Sequence, residues 1–228
     1  YAPRTRFCEV ILNGDYHGVY MLTEKIKRDK NRVNVGRLSP QDISGNELTG
    51  GYVLKVDRNA QEANEEDFWL SPYPLNFGDA PHVKYVFHHP QYDVIQNAQK
   101  QYIEQAVTSF ETEMYNSWFD QPNMAYHDFI DVPSFIDFYL VNELSRNVDS
   151  YRLSTFYSKN RDSRGGKISA GPLWDFNLAF GNADYCEGWL TENLGTDCGR
   201  GTFWWNRLLA DTIFQNLTKC RWEELRAG

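Results

Sequence analysis

The sequence predicts an α+β fold, with a strand-rich stretch over residues 1–90, a helix-rich stretch over 91–228 and a cleft between the two unlike parts. Three observations carry this reading. Two apolar runs flank Asn13-Gly14-Asp15, the strongest short-range signal for a hairpin with a tight primed turn. From Gln91 onward Ile95, Tyr102, Ile103, Ala106, Phe110 and Met114 recur at helical spacing with no Gly or Pro between them, as in a long amphipathic helix. Apolar and aromatic residues, 41% and 15% of the 228, are spread along the whole chain, which suits a packed globular domain rather than a disordered or repetitive one.

The elements follow in order. Arg6–Leu12 and Tyr16–Lys25 read as the paired strands of the hairpin, and GGYVLKVDR supplies a third strand at Tyr52–Asp57. A fourth lies near His82–His88, so the first third reads as one small antiparallel sheet. The long helix begins after Gln91. A second helix starts at DVPSFIDFYLVNELSRN, with Asp131 as N-cap and Pro133 in the first turn, and ends near Asn147. Two short strands, around Ser154–Lys159 and Lys167–Leu173, are joined by the turn-rich RDSRGG. A Gly-rich loop with two cysteines runs from Asn182 to Gly201, and the tail TFWWNRLLADTIFQNLTKCRWEELR returns to helical periodicity.

Charge and composition exclude several classes. With 23 Lys and Arg against 31 Asp and Glu, the net charge of -8 argues against nucleic acid as a partner. No apolar run approaches the roughly 20 residues that cross a bilayer. The opening YAPRTRFCEVILNG carries no signal-peptide pattern and no initiator Met, so the sequence reads as an excised domain with any export signal or lipid anchor upstream. Cys8, Cys186, Cys198 and Cys220 lack the spacing of a zinc site. Cys186 and Cys198 flank one loop and are either a disulfide or free thiols. The run Glu65-Glu66-Asp67 reads as a solvated loop. His88 and His89, adjacent on a strand, are expected to point to opposite faces and so not to share a metal. Trp174, Phe176 and Phe180 are expected to be core aromatics.

The stretch with chemical content runs from NELSRNVDSYRLSTFYSKN to GPLWDFNLAFGN. Asp149 leaves the second helix on a loop, and Asp175 follows a strand pair that can fold back on that loop. Two carboxylates so placed can divide phosphoryl transfer, one orienting an acceptor hydroxyl and the other binding a metal on the phosphates. Taken singly, each reads equally as a cap or turn former. Arg152 either clamps phosphate or pairs with a carboxylate.

The combination NGDYHGVYMLTEKI, GGYVLKVDR, VNELSRNVDSYR and GPLWDFNLAFGN resembles the spore-coat protein H (CotH) kinase family, in the form carried by exported proteins of gut-type bacteria. The resemblance runs from the first hairpin to about Trp222. It implies an atypical protein-kinase-like fold that binds ATP and Mg²⁺ in a cleft and phosphorylates Ser or Thr of secreted, cell-surface or coat proteins. By motif, Asp149 matches the catalytic-loop aspartate and Asp175 the metal-binding one. Glu24 matches a family glutamate that pairs with a basic residue near the phosphates, and Lys55 and Arg152 join it as nucleotide-binding candidates. Two departures stand out. Ser154 occupies the place of an Asn that serves kinases as second metal ligand, and Asn177 stands where the family often has Asp. The shorter Ser154 and the charge lost at Asn177 leave a second reading, a catalytically weak or inactive surface module that recognises protein or glycan on its Trp and Tyr faces. Glycoside hydrolysis, which needs two carboxylates across a sugar-sized gap, has no specific support in the sequence.

Overall fold

The computed structural model describes residues 1–57, 68–74, 82–116, 124–185 and 201–228. Cys186, Cys198 and the acidic run Glu65-Glu66-Asp67 lie outside the described residues. The fold is α+β. Strands β1 (Thr5–Leu12) and β2 (Asp15–Thr23) form a two-stranded antiparallel sheet of their own. Asn13 and Gly14 between them both have positive φ, 53° and 92°, which a primed two-residue turn requires. Unlike the single sheet expected for the first third, this hairpin pairs with neither of the later strands. It carries apolar groups on both faces, and Phe7, Val19, Tyr20, Met21 and Leu22 are all exposed.

The main sheet has five strands in the order β4-β5-β3-β6-β7, antiparallel throughout. Its members are β3 (Tyr52–Val56), β4 (Phe68–Pro74), β5 (His82–His89), β6 (Thr155–Lys159) and β7 (Ile168–Ala170). The sheet therefore spans the sequence position near Pro90, with two strands contributed from beyond it. β4 is not predicted from the sequence because Pro72 and Pro74 interrupt its pattern. It sits at the sheet edge, where proline's missing N–H removes no interior ladder bond. Where the chain enters β3, Gly50 packs so close to the backbone of Asn160 and Arg161 that no Cβ fits.

The helices are α1 (Gly45–Leu48), α2 (Asn97–Asn116), α3 (Val132–Ser145), α4 (Phe203–Ala210) and α5 (Thr212–Ala227). α2 starts later than expected because Gln91–Ile95 forms a separate turn, in which the N–H groups of Val94 and Ile95 both donate to the Gln91 carbonyl. The helical tail divides at Asp211, whose carboxylate accepts from the N–H groups of Ile213 and Phe214.

One face of the main sheet builds the core. Tyr52, Leu54, Val56, Tyr85 and Tyr157 pack against Phe110 of α2, Phe135 of α3 and Trp204 and Trp205 of α4. The opposite face is covered by the irregular segment after β2, through Ile26, Val33 and Val35 on Val53 and Phe156, with Trp174 packed against them. That second layer positions the candidate site, since Trp174 precedes Asp175.

Candidate active site

The site is built where α3 ends. Arg146 closes the helix in the left-handed region, with φ 52°, and its N–H bonds back to Asn142 and Glu143. The N–H of Asn147 also donates to the Asn142 carbonyl, at 3.0 Å. The Ser150 hydroxyl donates to the Asn147 carbonyl at 2.6 Å. The loop is thereby wound into a compact turn that presents Asp149. Tyr151 anchors it from below. Its ring packs against Trp205 at 5.0 Å between centroids, and its hydroxyl donates to Glu143 Oε1 at 2.7 Å.

The second wall comes from the segment after β7. Trp174 meets Phe156 edge to face, and the N–H of Phe180 donates to the Ser145 carbonyl at 2.7 Å. Between these two anchors Asp175 takes a left-handed backbone, φ 63°. Asp149, Ser154, Asp175, Asn142 and Asn147 line one narrow crevice. The Ser154 hydroxyl donates to Asp175 Oδ2 at 2.9 Å.

Arg152 pairs with a carboxylate: its Nη2 lies 2.5 Å from Asp149 Oδ1. The guanidinium also lies over the Tyr185 ring. The Tyr185 hydroxyl has its pKa raised by partial burial and by its hydrogen bond to Asp149. Asp149 is thus positioned by Arg152 and Tyr185, both reaching it from outside α3.

The remaining predicted residues lie elsewhere. Asn177 is exposed, its carbonyl accepts from Asn182 Nδ2, and it does not line the crevice. It lines instead a groove of about 660 Å³ with Asp175, Phe176 and Phe180 on one side and Ala2, Pro3, Thr5, Met21 and Thr23 of the hairpin region on the other. Phe180, expected in the core, is 61% exposed at this groove. Glu24 holds Arg4 at 2.7 Å and Arg32 at 3.1 Å. Hydrogen bonds from Arg4, then from Tyr1, hold its carboxyl down at about 2 against partial desolvation. Lys55 pairs with Asp57 rather than with Glu24, and its ammonium stands over the Phe156 ring. Neither Glu24 nor Lys55 lines the crevice or the groove.

Asn147 was not singled out from the sequence, where an Asn after a helix reads as a cap. It is 4% exposed, its Nδ2 donates to Asn142 Oδ1 at 3.2 Å, and among the described residues its Oδ1 has no partner. A buried amide oxygen left unpaired costs free energy unless something fills the place of its missing donor. Among the described residues there is no group of three or more His, Cys, Asp and Glu that could hold a metal. The oxygen donors present are of mixed type: carboxylates of Asp149 and Asp175, the Ser154 hydroxyl and the Asn147 amide. Mg²⁺ is bound in kinases by one or two carboxylates, with phosphate and water completing the shell, so this set fits it.

The model of the family described as CotH kinase protein matches residues 1–228. A search of the curated proteins finds no match. With the family model covering the whole sequence, the chain belongs to the CotH kinase family.

Proposed function

We propose that the domain transfers the γ-phosphoryl group of ATP to a Ser or Thr hydroxyl of a secreted or surface protein. The observation that carries the reading is the convergence of Asp149 and Asp175, from separate segments, on one crevice beside an apolar groove. Phosphoryl transfer depends mainly on positioning and on charge stabilisation, for which such a pair is suited.

In this reading Asp149 accepts the hydrogen bond, and then the proton, of the acceptor hydroxyl. Arg152 and Tyr185 fix the direction of its carboxylate. Asp175, Ser154 and Asn147 would hold Mg²⁺, which when bound neutralises phosphate oxygens. Asp175 carries the negative charge, and Asn147 contributes the oxygen that Asn177, out in the groove, does not. The groove between the hairpin and the Trp174–Phe180 segment takes the base of the nucleotide against Met21, Leu173 and Phe176.

One observation favours the alternative of an inactive binding module. Asp149 is engaged by Arg152, and Asp175 by Ser154, so both carboxylates have partners within the chain. The two readings separate on turnover. Wild-type domain with ATP, Mg²⁺ and a Ser-rich peptide should produce ADP and phosphopeptide, and Asp149→Asn and Asp175→Ala should each lower the rate by about 10²-fold or more. Equal inertness of wild type and variants, with no change of melting temperature on adding ATP and Mg²⁺ together, would leave only the binding module.

A further inference from the structure

A cavity of about 290 Å³ lies between the segment after β2 and the end of β5, and shares no lining residue with the Asp149–Asp175 crevice or the groove beside it. We propose that this cavity is an anion site that takes a phosphoryl group, either free phosphate or one carried on a phosphorylated side chain. Every ionisable side chain on its wall is cationic or becomes so on protonation: Lys25, Lys27, His88 and His89.

The local backbone explains why both histidines are there. In β5, Val53 pairs with His89 and Leu54 with Phe87, which leaves His88 as an extra residue. Such a bulge breaks the alternation of a strand and re-aims its side chains. Against the expectation that His88 and His89 cannot share a site, both residues line the same cavity. His88 Nε2 lies 3.0 Å from the Ile26 carbonyl and donates to it. His89 Nε2 is buried and has no partner among the described residues.

Among the described residues the surroundings lack compensating negative charge. Burial and then the nearby Lys55 and Lys25 hold the His88 pKa below its ordinary value, against the hydrogen bond to Ile26. Burial, Arg28 and His88 push His89 down to about 4, and among the described residues no carboxylate is a cause of the shift at either ring. Among the described residues Lys25, Lys27 and Arg28 make no ion pair. The acids nearest in sequence are turned elsewhere, Glu24 to Arg4 and Arg32 and Asp29 to Arg32. A phosphoryl group would accept from the two ammonium groups and from His89 in its Nε2–H tautomer, supplying the acceptor that this nitrogen lacks.

The test follows the imidazole signals of the whole domain by proton NMR near neutral pH, at constant ionic strength. One arm titrates inorganic phosphate and the other a phosphoserine peptide, with the unphosphorylated peptide as control. The His88 and His89 signals should move and saturate while His17, on the hairpin, stays still. Lys25→Ala with Lys27→Ala should weaken binding by about tenfold or more at an unchanged melting temperature, since two of the charge-assisted contacts are gone. Tighter binding of the phosphopeptide than of phosphate identifies a carried phosphoryl group, and equal binding identifies the free ion. Absence of any saturable movement of His88 and His89 in both arms, or the same affinity in the double-lysine variant, would overturn the site.

Discussion

Tyr151, Ser154 and Asp175 all have left-handed backbones, with φ of 77°, 49° and 63°, and all belong to the two segments that form the crevice. For a residue as bulky as Tyr151 that conformation costs on the order of 1–3 kcal/mol and persists only where surrounding structure over-determines it. Here the determinants are the packing on Trp205 and the hydrogen bond to Glu143. Nothing in the residue names reveals this, because Gly and Asn are the usual occupants of that region. Arg152 is similarly opaque in sequence, where phosphate clamp and carboxylate partner are equivalent readings, and it takes a distance to decide for Asp149. Arg152→Ala strands a partly buried carboxylate and should lower stability by about 1–3 kcal/mol, measured as a fall in urea midpoint at constant slope. Asn147→Ala removes the unpaired oxygen together with one hydrogen bond. Because it leaves the buried Asn142 Oδ1 without its donor, it should lower stability by about 1–3 kcal/mol, and at a temperature where the variant is folded it should weaken Mg²⁺-dependent ATP binding by about tenfold, read by calorimetry.

At the scale of elements, the hairpin, α3 and the strand β3 were legible because each has a local signal: Asn13-Gly14, Pro133 in the first turn of α3, and a β-rich run after Gly50-Gly51; Asp131 stands at the N-cap position of α3, but its side chain makes no cap hydrogen bond. β4 was hidden by its prolines, which only an edge position explains. The bulge at His88 was hidden because register belongs to the pair of strands and not to either one. The break between α4 and α5 lay inside an unbroken helical pattern. It becomes intelligible from Asp211, which caps α5 and also accepts from the Tyr126 hydroxyl at 2.5 Å. Asp211 is 2% exposed, so its loss leaves the first turn of α5 and the Tyr126 hydroxyl without their acceptor. Asp211→Ala should cost about 2–4 kcal/mol, the sum of a lost cap and a buried unsatisfied donor, and Asp211→Asn should recover part of it in the same denaturation experiment.

At the scale of the whole molecule, the larger hydrophobic core draws on both halves of the sequence, and a carboxylic acid is fully buried beside it. Glu111 of α2 accepts from Ser71 of β4 at 2.7 Å and from Tyr85 of β5 at 2.8 Å. Burial raises its pKa to about 7, against those hydrogen bonds, from an ordinary value of 4.5. The folded state therefore keeps a proton that the unfolded chain releases between those values. This contribution to stability is full below about pH 4.5 and is lost as pH rises through about 7, a change of up to about 3 kcal/mol. Glu111→Gln should flatten that part of the pH profile of the urea midpoint, and an unaltered slope in the variant would refute the assignment.

The fold also sets the site, because the sheet face away from the core seats Trp174 and so brings Asp175 back to the end of α3. In sequence both aspartates read as candidates for phosphoryl transfer, but their convergence depends on β6 and β7 joining the sheet of β3, a long-range pairing that no local pattern encodes. The most direct measurement is a calorimetric titration of ATP into the wild-type domain and into Asp175→Ala, each with Mg²⁺ and with chelator. The account predicts that Mg²⁺ tightens ATP binding to the wild type by about tenfold or more and has little effect on the variant. ATP binding that ignores Mg²⁺ in both proteins, or no binding to either, would contradict it.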